Sequence, residues 1–246
     1  MIKFFRKIRY DLMEKNKTGK YLKYAIGEIV LVVIGILIAL SINNWNQTRI
    51  EASEELKLLS EIQSNLKQSK KEIKSVLDKN EAYVSKYLTL LNHTEQKLPY
   101  SPVLDTAFAC IPSWASPYLT YTAYESLKSR GSKLVRNDSL RKQIIKMYEN
   151  QMTYIMDDWD QSEWRDSESL VRPYYAKHFA DNLDEITAQP NNYDALLEDA
   201  EFNNVLRIVI SNRKWGNRTC KNGIANIDTL IEAIENELIQ REFYQN

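Results

Sequence analysis

The chain has 246 residues, with 33 basic and 33 acidic side chains and no formal net charge at neutral pH. This length suits one folded domain with its own core, and the lack of a basic excess beyond the first 24 residues argues against nucleic acid as a partner. Six glycines and six prolines are few for this length, which favours long helices over many short strands, so we predict an all-α protein.

Residues 1–24 form a basic leader that carries eight lysines and arginines against two acidic residues. Apolar residues recur in it at helical spacing: Met1, Phe5, Ile8 and Leu12. This spacing is typical of an amphipathic helix lying on an anionic membrane surface, and an ordinary basic leader is the alternative.

Residues 25–42 are predicted to form a transmembrane helix. A run of about eighteen apolar residues covers roughly 27 Å as a helix, close to the thickness of a hydrocarbon core. No pattern of small residues for signal cleavage follows it, so an uncleaved signal anchor is favoured. The basic leader predicts a cytoplasmic amino terminus, which places residues 43–246 outside. Tyr21, Tyr24 and Trp45 are expected in the headgroup layers.

Three residues of this helix are candidate contact positions. A carboxylate in a spanning helix often pairs with another helix or a headgroup, which makes Glu28 a candidate, although it also lies close enough to the boundary to extend toward water. Gly35 and Ala39 have the small-xxx-small spacing that permits close approach of a second helix. Membrane lipid and a second copy of the chain are therefore expected partners.

The string MIKFFRKIRYDLMEKNKTGKYLKYAIGEIVLVVIGILIALSINNWN resembles the opening of a family of uncharacterised single-pass membrane proteins of Bacteroidota-type Gram-negative bacteria, a domain of unknown function. The resemblance is strongest over residues 1–46 and weaker over 122–131 and 137–149. It implies an inner-membrane anchor with a periplasmic helical domain. It supplies no catalytic residues.

A seven-residue pattern from Ser53 to Leu91 predicts the first helix of that domain. Its two seam positions hold Leu59, Leu66, Ile73, Asn80 and Tyr87, and Ile62, Ser69, Val76, Tyr83 and Leu90. The flanking Leu58, Leu77 and Val84 widen the stripe, which indicates packing in a bundle over a bare coiled coil. Whether this helix is continuous with the membrane helix stays open.

Four main helices are predicted in all. A connector over residues 92–117 contains four of the six prolines, and VLDTAFACI within it is expected to form two helical turns. Thr122 and Glu125 predict a capping box for a short helix ending at Gly131. Two longer helices follow. The first is capped at Asn137 or Asp138 and runs to about Pro173, and one of its faces holds Leu140, Ile144, Tyr148, Met152, Ile155 and Trp159. The second follows Pro190 and has a polar gap in its apolar stripe near Arg213. An antiparallel up-down bundle fits these elements.

The segment DDWDQSEWRDSES is the main candidate surface for a protein partner. Its candidate residues are Asp157, Asp158, Trp159, Asp160, Glu163 and Trp164, with the tryptophans as anchors. A calcium loop is disfavoured because Glu163 and Ser169 occupy the positions of the required glycine and bidentate glutamate. With only His93 and His178 present, neither a histidine metal site nor a Ser-His-Asp triad is predicted.

Cys110 and Cys220 are expected to be two buried free thiols, and the alternative is a disulfide that ties the connector to the last helix in an oxidising compartment. No cofactor is predicted. The leading hypothesis is a non-enzymatic, membrane-anchored periplasmic interaction or scaffold module that binds a protein partner or itself. The alternatives are an envelope or lipid-responsive sensor and a metal-dependent hydrolase using Asp157, Asp158 and Asp160.

Overall fold

The computed structural model describes Tyr10 and residues 18–245. The predicted amphipathic positions Met1, Phe5, Ile8 and Leu12 lie outside the described residues, as do the side chains of Tyr21 and Tyr24. The chain divides into two compact units, Met1–Glu54 and Glu55–Asn246. The predicted all-α class is confirmed, with one short two-stranded sheet in addition.

The first unit contains the amino-terminal part of helix α1, which spans Thr18–Glu95. Its most apolar eighteen-residue window is long and apolar enough to cross a membrane, and none of that window is buried. Beyond it, side chains pair along the helix: Arg49 lies over the ring of Trp45 at 5.9 Å, and Gln47 donates to Glu51 at 2.9 Å. A helix packed in the core of a soluble domain buries its apolar face, so this exposure favours a lipid environment.

The second unit is built from α1 and the elements that follow it. In the structure the connector covers residues 96–121, because α1 continues to Glu95. It is followed by α3 and then by a long helical run over residues 138–178, called the middle run. A hairpin and the last long helix, α8, complete the unit. The bounds are a 3₁₀ turn Pro102–Leu104, α2 Asp105–Cys110, α3 Thr122–Arg130, a 3₁₀ turn Ser132–Leu134, β1 Phe179–Asp181, β2 Ala188–Pro190, α7 Tyr193–Leu197 and α8 Ala200–Gln245.

Ion pairs between α1 and α8 show that these helices run antiparallel. Lys70 pairs with Asp228, and Glu81 pairs with Lys221 at 2.8 Å, so partner numbers fall along α8 as they rise along α1. The middle run also lies antiparallel to α8, because Asn137 near its start donates to Glu237 at 2.7 Å, whereas Glu163 farther along it pairs with Arg213. The segment that contains α3 runs antiparallel to α1. The Thr120 amide donates to Ser69 Oγ, whereas the Arg136 amide, later in the chain, donates to Glu55 Oε1, which lies earlier in α1.

The middle run alternates between α-helical and π-helical turns. Its segments are α4 Asp138–Lys146, π turns Met147–Met152 and Tyr154–Asp160, α5 Gln161–Asp166, a π turn Ser167–Val171 and α6 Arg172–His178. Buried residues recur every four positions over most of its length: Leu140, Ile144, Tyr148, Met152, Ile155, Trp159, Glu163, Ser167, Val171 and Tyr175. In an α-helix, side chains four residues apart differ by about 40° in their direction around the helix axis, so a four-residue repeat gradually rotates away from one face. The wider π turns remove that drift and keep one face on the core.

Two hydrophobic clusters make up the core of this unit. The first contains the residues around Leu59 of α1 and Trp159, and the second those around Tyr87 and Phe202. The seam predicted on α1 is confirmed, since nine of its ten positions are buried and Tyr83 is partly buried. Between the clusters lies a buried polar layer, defined here as Asn80, Glu163, Ser167 and Arg213.

Three local features differ from the sequence prediction. Helix α3 has no capping box at Thr122; instead Asn65 of α1 accepts from the Ala123 amide at 2.9 Å. The middle run does not stop at Pro173, because the π turn immediately before it accommodates a residue that lacks an amide donor. The sheet was not predicted: β1 and β2 pair antiparallel, with Ala180 opposite Gln189.

Candidate functional site: the connector pocket

An open cavity of about 480 Å³ lies where the connector crosses α1 and the middle run. We call it the connector pocket. It is lined by Lys79, Tyr83, Pro112, Ser113, Trp114, Ala115, Ser116, Tyr118 and Arg172. Loops held on a rigid helical scaffold commonly carry binding residues, so this cavity is the strongest candidate site in the described part of the chain.

Three elements bring the pocket residues together. Helix α1 contributes Lys79 and Tyr83, which lie one turn apart and so share a face. The connector contributes the wall between Pro112 and Tyr118, where prolines prevent regular structure. The middle run contributes Arg172 from its last helical segment.

The connector wall is held at two points. The Ser113 carbonyl accepts from Arg213 Nη2 at 2.7 Å, and Ser116 Oγ donates to Asp160 Oδ1 at 2.6 Å. Behind it, the Tyr87 hydroxyl donates to the Cys110 carbonyl at 2.5 Å, and burial raises the pKa of that phenol. These contacts position the loop, and Ser116 is the lining residue whose side chain takes part in them.

The pocket has positive charge, and its lining includes one buried hydrogen-bond donor without a partner in the described residues. Trp114 Nε1 is buried and has no hydrogen-bond partner within the described residues. Arg172 pairs with Glu168 at 3.1 Å, whereas no ion pair is found for the exposed Lys79 in that same part of the chain. A buried donor without a partner costs free energy. A ligand with negatively charged acceptor atoms would accept a hydrogen bond from the indole and neutralise the charge of the lysine.

A buried ion pair in the polar layer holds Arg213 in place, and Arg213 in turn holds the connector wall of the pocket. Glu163 and Arg213 pair at exposures of 4% and 3%, and Trp159 Nε1 donates to Glu163 Oε1 at 3.2 Å. Burial raises the pKa of the Glu163 carboxyl, and Arg213 and Trp159 offset this in part. The polar gap predicted in α8 is therefore filled by a residue whose partner comes from the middle run.

The predicted partner surface over residues 157–164 is only partly on the surface. Trp159 is fully buried and Glu163 is 4% exposed, so placing these two on a partner surface was wrong: both belong to the interior side of the middle run. Trp164 is 56% exposed, and Asp157 and Asp158 are also exposed. Asp160 is partly buried and bonds the connector through Ser116, so this segment adjoins the connector pocket.

The candidate residues of the apolar helix lie along its exposed window. Gly35 and Ala39 are exposed, and a Cβ added at Gly35 would meet no atom within 4 Å. Glu28 is partly exposed. Contact of these residues with lipid or a second helix stays a prediction.

Cys110 and Cys220 are both free, buried thiols in the structure. They belong to different hydrophobic clusters, Cys220 to the first and Cys110 to the second. Burial raises the pKa of Cys220 to about 12, so its thiol stays protonated and unreactive near neutral pH.

Within the described residues, no group of three or more His, Cys, Asp or Glu side chains is arranged to hold a metal ion. The two histidines are far apart in the chain: His178 stacks on Tyr174 with ring centroids 4.3 Å apart, and the carbonyl of His93 accepts from the Leu98 amide. The acidic residues 157–160 spread between solvent and the connector. The metal-dependent hydrolase stays a prediction.

Sequence reasoning missed the connector pocket. The signal was present in WASPYLTY, residues 114–121, where one tryptophan and two tyrosines stand in a proline-rich link. Large aromatic residues in an irregular segment need either a core or a ligand to cover them. Tyr118 has neither in the described structure, being 81% exposed.

Comparison with known proteins identifies a family for this chain. The model of a family described as a family of unknown function (DUF6090) matches residues 28–214. Neither a curated protein nor a solved structure matches. The matched range includes most of the apolar helix, the whole connector and Arg213.

Proposed function

The chain belongs to DUF6090, a family of unknown function, and we propose that it is a non-enzymatic, single-pass membrane protein whose helical domain binds a protein partner outside the cytoplasm. The partner contributes an acidic, partly apolar segment that occupies the connector pocket. The connector pocket is the observation that carries this proposal.

The membrane anchor in this proposal is residues 25–42. It is supported by the uncovered apolar window of α1 and by the basic residues that precede it. The excess of lysine and arginine on that side favours a cytoplasmic leader. The resemblance of residues 1–46 to membrane proteins of Gram-negative bacteria adds the inner membrane as the location, with the domain in the periplasm. Residues 43–246 then form the periplasmic part, in which the part of α1 beyond residue 42, α3, the middle run and α8 are the four members of an antiparallel bundle.

The chemistry of the pocket favours an acidic partner segment. Lys79 supplies a charge that no ion pair in the described residues neutralises, and the Trp114 indole supplies a donor that requires an acceptor. A carboxylate satisfies both, since hydrogen bonds to an ionised acceptor are about twice as strong as neutral ones. The rings of Tyr83 and Tyr118 offer apolar area beside that charge, which is the composition of many interface anchors.

Photo-crosslinking in native membranes tests this proposal. A benzophenone side chain replaces Tyr118 at the rim of the pocket, and the control replaces Leu88. Leu88 is 42% exposed and lies nine residues beyond Lys79, which places it half a turn around α1 on the opposite face. We expect discrete protein adducts from position 118 alone.

A charge reversal makes the test specific. Lys79→Glu should remove the adducts at position 118 because it repels a carboxylate, whereas Lys79→Arg should keep them. Equal adducts from positions 118 and 88, or adducts that survive Lys79→Glu unchanged, would contradict a pocket that recognises an acidic partner.

A further inference from the structure

A second cavity, of about 340 Å³, lies between the middle run and α8. We call it the amide groove. It is lined by Asn150, Gln151, Tyr154, Ile155, Thr219, Asn222, Gly223 and Asn226. Every lining side chain is uncharged, in contrast to the connector pocket, so a charged ligand finds no counter-ion among them.

Helical spacing explains why these residues converge. On α8 the residues Thr219, Asn222 and Asn226 follow one another at three- and four-residue steps and therefore share a face. On the middle run Asn150 and Tyr154 stand four residues apart across the junction of two π turns. The four amide side chains of the groove thus come from two facing helices.

The amides of the groove are not used to hold the fold together. No side-chain hydrogen bond is found for Asn150, Asn222 or Asn226 within the described residues, and the buried Oε1 of Gln151 has no partner there. Each amide can both donate and accept. Four of them around one cavity match a ligand whose polar atoms also both donate and accept.

The floor and rim of the groove add an apolar component. Ile155 lies under Gly223, where a Cβ would come within 2.8 Å of the isoleucine Cδ1, so the glycine keeps the cavity open. Tyr154 is 45% exposed, and its hydroxyl accepts from Trp215 Nε1 at 3.2 Å. The Tyr154 and Trp215 rings meet edge to face at 6.2 Å, which fixes an aromatic surface beside the amides.

We infer that the amide groove binds an uncharged pyranose sugar of a glycan chain. The hydroxyls of a sugar donate and accept, as amides do, and the C–H face of a pyranose ring packs against an aromatic side chain. A small set of polar groups on an otherwise apolar surface is the usual composition of a small-molecule site. This inference concerns a different cavity from the connector pocket and does not depend on a protein partner there.

Titration of the full-length protein with defined trisaccharides tests this inference. The protein is kept in lauryldimethylamine oxide, because maltoside detergents carry a sugar headgroup that would compete. The probes are tri-N-acetylchitotriose and maltotriose, followed by calorimetry and by tryptophan fluorescence. We expect saturable binding of at least one of them.

Two variants on α8 make the result specific. Asn222→Ala removes one amide and should weaken binding by about threefold to tenfold, the effect of losing one hydrogen bond. The control Asn204→Ala lies on the same helix at an exposed position outside the groove and should leave affinity unchanged. Thermal unfolding of each variant shows that the fold is retained.

Several results would overturn the inference. These are the absence of saturable binding of both sugars at millimolar concentration, equal effects of the two variants, and binding of an uncharged tetrapeptide amide in place of either sugar. Loss of the cross-links at Tyr118 would not affect it, so the two proposals fail separately.

Discussion

Gly216 of α8 makes room for the largest fully buried side chain of the domain. A Cβ added there would lie 2.3 Å from both Cε2 and Nε1 of Trp159. The Trp159 ring is fully buried, and its Nε1 is bonded to Glu163, so it has no free space into which it can move. Gly216→Ala is therefore expected to destabilise the domain.

The size of this effect follows from two opposing terms. Overpacking a filled core costs about 1–3 kcal/mol, and replacing a glycine within a helix by alanine returns about 0.5–1 kcal/mol. Because the collision is with a fixed ring, the cost should lie near its upper limit, which leaves a net loss of about 2 kcal/mol. For a domain of this size that corresponds to a fall in Tm of about 4–8 °C.

Gly223→Ala is the matched control on the same helix, two turns away. Its Cβ would come within 2.8 Å of the mobile end of Ile155, which can shift, so its stability should stay within about 1 kcal/mol of the parent protein. Both variants are compared as full-length protein in detergent, with unfolding followed by near-ultraviolet circular dichroism.

A double-mutant cycle identifies the cause. Trp159→Leu removes the indole atoms nearest the added methyl, so Gly216→Ala should cost at least 1 kcal/mol less in that background. Equal costs in the two backgrounds, or equal stabilities of the Gly216→Ala and Gly223→Ala proteins, would refute the close approach between Gly216 and Trp159.

Three further predictions concern the polar layer and the cysteines. Arg213→Met leaves the Glu163 carboxyl buried without its cation and should lower the free energy of unfolding by about 3–5 kcal/mol in denaturant titrations. Adding Glu163→Gln to Arg213→Met should recover part of that loss. A double variant as unstable as the single one would contradict this. Because burial raises the folded-state pKa of Glu163, its contribution is present below the unfolded-state pKa and is lost as pH rises through the folded-state pKa. The free energy of unfolding should thus fall between acidic and neutral pH, and it should fall more steeply in Arg213→Met. In the double variant position 163 no longer titrates, so this part of the pH dependence should disappear. Cys220 should resist maleimide in the folded protein at pH 7 and react fully in guanidinium chloride, because burial raises its pKa to about 12; rapid native labelling would show that its cluster is open.

The apolar patterns in the sequence were sufficient to predict the long helices. The seam of α1 from Leu59 to Leu90 is buried as expected, and so is the face of the middle run from Leu140 to Trp159. These patterns work because burial of one helix face dominates the choice of structure. The cap was predicted at Asn137 or Asp138, and in the structure the Asn137 side chain accepts from the Leu140 amide at 3.1 Å.

Other features depend on residues that are distant in sequence. Asn65 caps α3 from another helix, and Glu163 was assigned to the surface because its partner Arg213 lies 50 positions further along the chain. The four-residue recurrence of buried positions in the middle run was visible in the sequence, but it was interpreted as an ordinary α-helix. A repeat longer than 3.6 residues is the local signal for the π turns.

The candidate sites required the three-dimensional structure. The lining of the connector pocket comes from α1, the connector and the middle run, and no single segment carries a motif for it. The amide groove likewise joins Asn150 to Asn226 across two helices. Only the excess of aromatic residues in the connector was detectable beforehand.

The proposed function requires that one helix anchors the chain and that the folded domain lies outside the cytoplasm. Fusion of alkaline phosphatase after Asn246 tests it directly, because the enzyme is active only when exported, and a β-galactosidase fusion at the same position reports the opposite location. We expect high phosphatase and low galactosidase activity. An inactive phosphatase beside an active galactosidase would place the domain in the cytoplasm and contradict the proposed topology.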